Sequence, residues 1–419
     1  MTVLGCIADD FTGGTDVAAA LRRSGLSVGL MFGVPDGSTS APECDAIVIA
    51  LKSRTVPAGD AVADTLLSWE WLRARGVPRL YLKYCSTFDS TDEGNIGPVT
   101  DALLAAMDGP TVLICPASPE HGRTVYRGHL FVGDQLLSDS SMRHHPLTPM
   151  TDSNLVGVLG RQTPGPVGLL DLSSVRGGAK VVAERLEELE ASGVRHVVVD
   201  ATEAADLTTV ATAAVGMPLT TGGAGLAGAL GQVLADERPE VSPGEDLLLP
   251  SGPGIVLAGS CSRATLNQVA LATQSFPSYR LDPVATPDPD KLLGEALTWL
   301  RDNWETGPVL MYSSATPDDQ ARARAAMGPD TAAILETALG ELACEAAGLG
   351  AARIVVAGGE TSGAVVQALG VRSVVVLGEQ DTGVPWCLPT GEPAVALLLK
   401  SGNFGSNDLL VRALRGADS

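Results

Sequence analysis

Three carboxylates crowd one short stretch, Ala8-Asp9-Asp10-Phe11-Thr12-Gly13-Gly14-Thr15-Asp16, directly after an apolar run and directly before a helical one. Acids and glycines at the carboxyl end of a strand occupy the edge where open α/β sheets ordinarily bind ligands. A carboxylate there can accept the proton of a sugar hydroxyl, which makes Asp9 and Asp10 the candidate catalytic residues. Capping of the following helix is the competing use of the same acids.

Cations supply the complementary signal. The chain has only five lysines, and Lys52, Lys83 and Lys400 close apolar runs. Arg54, in Lys52-Ser53-Arg54-Thr55, can grip a carboxylate with two parallel hydrogen bonds. Lys83, followed by Ser86 and Thr87, can bind further oxygens. His121 follows the run TVLICPA and can orient a substrate or move a proton. Surface ion pairs, helix caps and packed structural donors are the plainer uses of these residues.

Three turns in the second half of the chain suit a different ligand. They are Gly259-Ser260-Cys261-Ser262-Arg263, Gly358-Gly359-Glu360-Thr361-Ser362-Gly363 and Lys400-Ser401-Gly402-Asn403-Phe404-Gly405. Backbone amides freed at such turns, backed by helix N-termini, cradle phosphate oxygens, so together they read as a nucleotide site. A Walker loop is absent, because Gly254 to Gly259 runs on into Ser260-Cys261 without Lys-Ser/Thr. Gly223-Ala224-Gly225-Leu226-Ala227-Gly228 matches G-x-G-x-x-G but opens no evident βαβ unit, so it reads as helix-start glycine rather than a dinucleotide fingerprint.

The elements that must carry these residues are legible from hydrophobic runs. Short Val, Ile and Leu stretches alternate with longer amphipathic ones, the pattern of parallel strands buried on both faces and crossed over by helices. Strands are expected at 4–8, 28–32, 46–51, 80–84, 112–115, 167–171 and 196–199, and again at 254–260, 309–314, 353–359, 373–379 and 394–400. Gly133-Asp134 between two apolar pairs predicts a tight hairpin. Helices are expected at 262–274 and 331–347. Between Ala235 and Gly254 the text DERPEVSPGEDLLLPSGPG replaces periodicity with proline, glycine and acid, as an exposed linker does. The expected architecture is two unlike α/β domains with mainly parallel sheets flanking an interdomain cleft: residues 1–238, a linker at 239–253, and 254–419 with the nucleotide-type turns.

Composition narrows the class of function. The 419 residues include 28 basic and 49 acidic side chains for a net charge of −21, a field that repels nucleic acid and anionic membrane surfaces. Seven scattered cysteines, odd in number and never in C-x-x-C, read as reduced thiols in a cytoplasmic protein. The five histidines show no metal-binding spacing. No apolar run approaches a membrane span, and the N-terminus MTVLGCIADDF has no export signature.

On the motifs IADDFTGGTD, KYCSTFDSTDEGNIGPV, HGRTVYRGHLFVG, GSCSRATLNQV, GGETSG and LKSGNFG, in that order, the sequence resembles the four-carbon acid sugar kinase family, nearest its 3-oxo-tetronate 4-kinase branch. The resemblance spans nearly the whole chain. It implies an N-terminal sugar-acid domain, with Asp9, Asp10, Arg54, Lys83, Ser86 and Thr87 facing the substrate. It also implies a C-terminal ATP domain, with Ser260, the Gly358 to Gly363 turn and the Gly402 to Gly405 turn facing the nucleotide. Gly14 stands where alanine is frequent in that family, a departure that reads as minor. ATP and Mg²⁺ are the expected cofactors, with the Mg²⁺ ligands not legible; a sugar acid and ATP are the expected small-molecule partners, and homo-oligomerisation stays open. Erythronate or threonate kinase, a nicotinamide-dependent dehydrogenase using Gly223 to Gly228, and a non-catalytic sugar-acid sensor are the alternatives.

Overall fold

The computed structural model describes residues 2–415 except 38, 40, 146 and 238–248. It divides into two compact units, Met1–Glu245 and Asp246–Ser419. The boundary and most of the expected 239–253 linker lie outside the described residues.

The first unit contains β1 (Leu4–Ala8), α1 (Phe11–Arg23), β2 (Val28–Phe32), β3 (Ala46–Ala50), α2 (Ala58–Arg73), β4 (Leu80–Lys83), α3 (Ile96–Ala106) and β5 (Val112–Cys115). A three-stranded hairpin excursion follows, β6 (Arg123–Tyr126), β7 (His129–Val132) and β8 (Gln135–Leu136), and then α4 (Leu155–Gly160), β9 (Val167–Leu170), α5 (Leu172–Arg176), α6 (Ala179–Ala191), β10 (His196–Val199), α7 (Ala204–Ala214), β11 (Leu219–Gly222) and α8 (Ala224–Asp236). The strands lie in the order β2-β3-β1-β4-β11-β5-β10-β9, parallel throughout. Every residue of β1 and β3 is buried, as continuous apolar runs require in a sheet covered on both faces. The covering helices fall into separate groups, α2 with α3, and α1 with α8, α7 and α6.

The hairpin predicted at Gly133-Asp134 joins antiparallel β7 and β8. Its base is fixed by Asp200, whose carboxylate accepts from the amides of Arg127, Gly128 and Leu172. Strand β11 was not predicted, because Leu219-Thr220-Thr221-Gly222 lacks an apolar run. Buried between β4 and β5, it satisfies Thr221 internally, the hydroxyl donating to Leu113 O at 2.7 Å.

The second unit contains β12 (Gly254–Ala258), α9 (Arg263–Ala272), β13 (Ser278–Arg280), α10 (Pro289–Asn303), β14 (Val309–Tyr312), α11 (Pro317–Met327), α12 (Thr331–Gly348), β15 (Arg353–Ala357), α13 (Gly359–Ala368), β16 (Ser373–Asp381), β17 (Val384–Pro389), β18 (Ala396–Lys400) and α14 (Leu409–Arg415). Its strand order is β13-β14-β12-β15-β18-β17-β16. The one departure from parallel pairing is β17, antiparallel to both neighbours and carrying two prolines at ladder irregularities and strand end, which hid it from a periodicity search. Val256, Val355 and Leu398 from the sheet pack with Val269 of α9 and Leu410 of α14 in one core cluster.

Gly14 has a steric reason that its sequence context does not show. Helix α1 lies so close to β3 that a Cβ at Gly14 would stand 2.5 Å from the Cβ of Ala50. Alanine would gain about 1 kcal/mol of helix propensity, but overpacking against a rigid backbone typically destabilises by about 1–3 kcal/mol. Gly14→Ala is expected to lower the thermal midpoint of the intact chain; a raised midpoint in a melting experiment would show that α1 has room to move.

Candidate active site

Strand register builds the first site. β3, β1 and β4 are adjacent and parallel, with Ala50, Ala8 and Lys83 side by side. The residues that follow must therefore emerge on one edge. Backbone hydrogen bonds tie those exits together: Asp9 N to Lys83 O at 3.0 Å, Ser53 N to Asp9 O at 2.9 Å and Arg54 N to Asp9 O at 3.1 Å. Asn95, just before α3, reaches across to donate to Ser53 O at 2.7 Å and Val56 O at 3.2 Å. It holds the Arg54 loop and was not among the predicted site residues, since an asparagine before a helix reads as a cap.

Arg54 sits between the two aspartates. Its Nε and Nη2 donate to Asp9 at 2.9 and 2.7 Å, and Nη2 also reaches Asp10 Oδ1 at 2.6 Å. Asp10 caps α1 by accepting from Gly13 N at 2.7 Å and takes the Thr12 hydroxyl at 2.7 Å. Burial pushes the Asp10 carboxyl up, but the charges of Arg54 and Lys83 and these two hydrogen bonds outweigh it, leaving it below the usual carboxylate range. Burial dominates at Asp9, which is raised despite Arg54. Asp10 is thus a firmly ionised carboxylate, with Oδ2 committed only to the Thr12 hydroxyl. Arg54 braces both acids, a use that the sequence reading did not include.

Lys83 is buried, its Nζ donating to Tyr84 O at 3.0 Å. It stands beside the first turn of α1, where a Cβ on Gly13 would lie 3.1 Å from Nζ. Ser86 is half-buried, whereas Thr87 is buried and its hydroxyl serves Asp89 Oδ1 at 2.6 Å. His121, with Nδ1 3.7 Å from Glu120 Oε1, contributes with Lys83 to the electrostatics of Asp16. That carboxyl is raised by burial, against the pull of those two residues, and its Oδ1 has no hydrogen-bond partner. Lys52 turns away to lie 5.1 Å over the Phe11 ring.

The same rule builds the second edge. Ala258, Ala357 and Lys400 lie side by side on β12, β15 and β18. The three glycine turns begin there, tied by Ser260 N to Ala357 O at 3.0 Å and Gly358 N to Lys400 O at 3.0 Å. Ser262 caps α9 and donates to Gly402 O at 2.5 Å. A Cβ on Gly402 would collide with Ser260 Oγ, so a larger residue has to displace that hydroxyl from the turn. Gly358 has φ 136° and leads into α13, whose first turn, Gly359, Glu360 and Thr361, carries no side-chain cap. Uncapped amides at that position are ready for an anion. Ser362 and Gly363 are buried beneath the turn, the Ser362 hydroxyl donating to Gly358 O at 2.7 Å, while Arg263 and Asn403 are exposed beside it. Ser401 and Gly405 close the loop, which Gln268 Nε2 fastens through Phe404, Gly405 and Ser406 carbonyls.

A cavity of about 190 Å³ adjoins these turns. Leu281, Val284, Ala323 and Leu335 give it apolar walls, and Gly259 and Thr361 form its border with the turns. Gly223 and Gly225 have a packing reason of their own: a Cβ there would stand 2.7 Å from Pro116 O and 3.0 Å from Ala117 O. Among the described residues no cluster of three His, Cys, Asp or Glu could hold a metal ion. No helix among them is long and apolar enough to cross a membrane.

One α/β unit presents an edge of acids and cations and the other a glycine-rich edge, a pairing suited to two different ligands. Family models agree, a sugar-binding N-terminal domain matching residues 4–230 and a nucleotide-binding C-terminal domain matching 255–410. The chain belongs to the four-carbon acid sugar kinase family. The 3-oxo-tetronate kinase of Burkholderia multivorans is 48% identical over 419 residues, covering 99% of this chain and 97% of its own. That of Cupriavidus necator is 48% identical over 421 residues, covering 99% and 96%. A crystal structure from Salmonella typhimurium LT2 matches with a TM-score of 0.89 at 39% identity over 99% of both chains.

Removing the shared brace has a signed consequence. Arg54→Met leaves two mostly buried carboxylates facing each other, which typically destabilises by about 3–5 kcal/mol. Asp10 contributes stability above its ordinary value of 3.8, lost as pH falls through its depressed folded value. Without Arg54 the largest part of that contribution is gone, Lys83 and the Thr12 and Gly13 hydrogen bonds remaining, and protonation relieves both acids. The deficit in denaturant unfolding is expected to be full at pH 7 and to shrink toward pH 4; an equal deficit at both would mean that Arg54 acts through packing alone.

Proposed function

We propose that the protein is an ATP-dependent kinase that phosphorylates the terminal (4-) hydroxyl of 3-oxo-tetronate, giving 3-oxo-tetronate 4-phosphate and ADP. The observation that carries this reading is the ionised, braced Asp10 at the carboxyl edge of one sheet, together with an uncapped glycine-turn edge on the other. The naming of relatives at 45–48% identity over nearly the full chain as 3-oxo-tetronate kinases supports the substrate.

In this reading residues 1–238 bind the sugar acid and 254–419 bind ATP. Lys83, the Arg54 edge, Ser86, Thr87 and His121 hold the sugar acid's oxygens. Asp10 orients the hydroxyl and takes its proton as the new O4–phosphorus bond forms and the bond to the ADP oxygen breaks. A loose phosphoryl-transfer transition state demands alignment and charge neutralisation more than a strong base. Asp9 acts through Arg54. The β12, β15 and β18 turns carry the phosphates through Ser260, the Gly359 to Thr361 amides and Gly402, and the adjoining cavity takes the nucleoside. Mg²⁺ suits this arrangement without a dedicated cage, since it usually binds through one or two carboxylates plus substrate phosphates. It would neutralise developing charge on the phosphates. A cytoplasmic setting fits the seven free cysteines.

Erythronate and threonate kinases would use the same edges, so substrate choice is read by assay. ADP release from ATP is expected with 3-oxo-tetronate at a kcat/KM well above that with erythronate or threonate. Preference for either of the latter would reassign the substrate, and sugar-acid binding without ADP release would make the protein a sensor. Asp10→Asn is expected to lower kcat by about two or more orders of magnitude while both ligands still bind; near-normal kcat would remove Asp10 from the chemistry.

A further inference from the structure

Lys400 is the most deeply buried cation of the second unit and has no role in the reading above. It is the last residue of β18, with no exposed surface. Its Nζ donates to Thr265 Oγ1 at 2.9 Å and Gly402 O at 3.1 Å. Gly402 O is also the acceptor of the Ser262 and Thr265 hydroxyls, at 2.5 and 2.8 Å. The ammonium therefore fixes, from beneath, the carbonyl of the same glycine whose Cα presses on Ser260.

A buried ammonium ordinarily has a carboxylate, and this one forms no ion pair among the described residues. The groups on the elements packed around it do not supply one. On β15 the charged residue is Arg353, paired with Ala396 at the far end of the strand from Lys400. β17 carries no charged residue, and its Cys387, opposite Leu397, is a neutral thiol pushed up to about 12 by burial. Glu360 of α13 and Arg263 of α9 are exposed, and Asp408, ahead of α14, is exposed and pairs with Arg412. Burial alone accounts for the Lys400 pKa, lowered to about 7.

We propose that Lys400 is a positioning residue for the nucleotide, a cation held under the Gly402 turn whose missing counter-ion is the phosphate that the turn receives. This rests on the assignment of the three turns to ATP. Without ligand the amine exchanges its proton near neutrality; with phosphate above the turn the charged form is favoured, so binding takes up a proton. The sign follows from linkage: a lysine whose bound value exceeds its free value binds ligand best below the free value and loses affinity as pH rises above it.

Titration calorimetry of the wild-type chain with ADP alone tests this. Between pH 7.5 and 8.5 affinity is expected to fall about five- to tenfold, as uptake of one proton by a group near 7 requires. The nucleotide's own phosphate ionisation, near about 6, is complete in this range. Near pH 8, the heat in buffers of different ionisation enthalpy should report uptake of nearly one proton. Lys400→Met should weaken ADP at pH 7.5 by tenfold or more and flatten the pH profile, and Lys400→Arg should restore part of the affinity without the slope. ADP binding with no pH dependence and no proton uptake in the wild type would overturn the proposal, and that measurement stands even if Lys400→Met fails to fold. No ADP binding at any pH would instead overturn the nucleotide assignment itself.

Discussion

In-register parallel pairing is the constraint on which both sites depend. Strands in one parallel sheet all end on one edge, so residues far apart in sequence are delivered together when their strands are neighbours. Asp9, Arg54 and Lys83 come from three segments, and the pairing of Ala50, Ala8 and Lys83 makes them adjacent. Ala258, Ala357 and Lys400 repeat the arrangement in the second unit. Side chains then refine what the backbone has fixed: Asn95 fastens the Arg54 loop, and Gln268 fastens the loop through Ser406.

Electrostatics work locally against the molecule's own field. A chain of net charge −21 repels anions at long range, yet the proposed substrates are a carboxylate and a triphosphate. Each edge answers with a few cations at short range, where screening is weakest because the groups are removed from water. The first unit balances Arg54 and Lys83 against Asp9 and Asp10, leaving ionised oxygen for a hydroxyl. The second uses amide dipoles and one unpaired lysine, leaving positive potential for phosphate.

How much of this was legible follows from what sequence encodes. Apolar runs mark buried parallel strands clearly, so β1, β2, β3 and β5 fall where hydrophobicity alone put them, and the Gly133-Asp134 turn announces its hairpin. Strands made of threonine or interrupted by proline, β11 and β17, carry no such signal, because their place is set by neighbours rather than by their own composition. Site residues behaved alike. Asp10 is both helix cap and ionised acid, so the two readings of its sequence context were not exclusive. The Arg54 clamp was invisible, since nothing in Lys52-Ser53-Arg54 reveals that Asp9 will be its partner 45 residues away. The steric need for Gly14 depends on the distance to Ala50, which no local pattern contains.

The central claim is that the two edges serve different ligands. Its most direct test is a crossed binding measurement on intact chains, titrating ADP and the sugar acid separately into Gly402→Val and Lys83→Met. The account predicts that Gly402→Val loses ADP and keeps the sugar acid, while Lys83→Met weakens the sugar acid and keeps ADP. Loss of both ligands in either folded variant, or the reverse pattern, would contradict it.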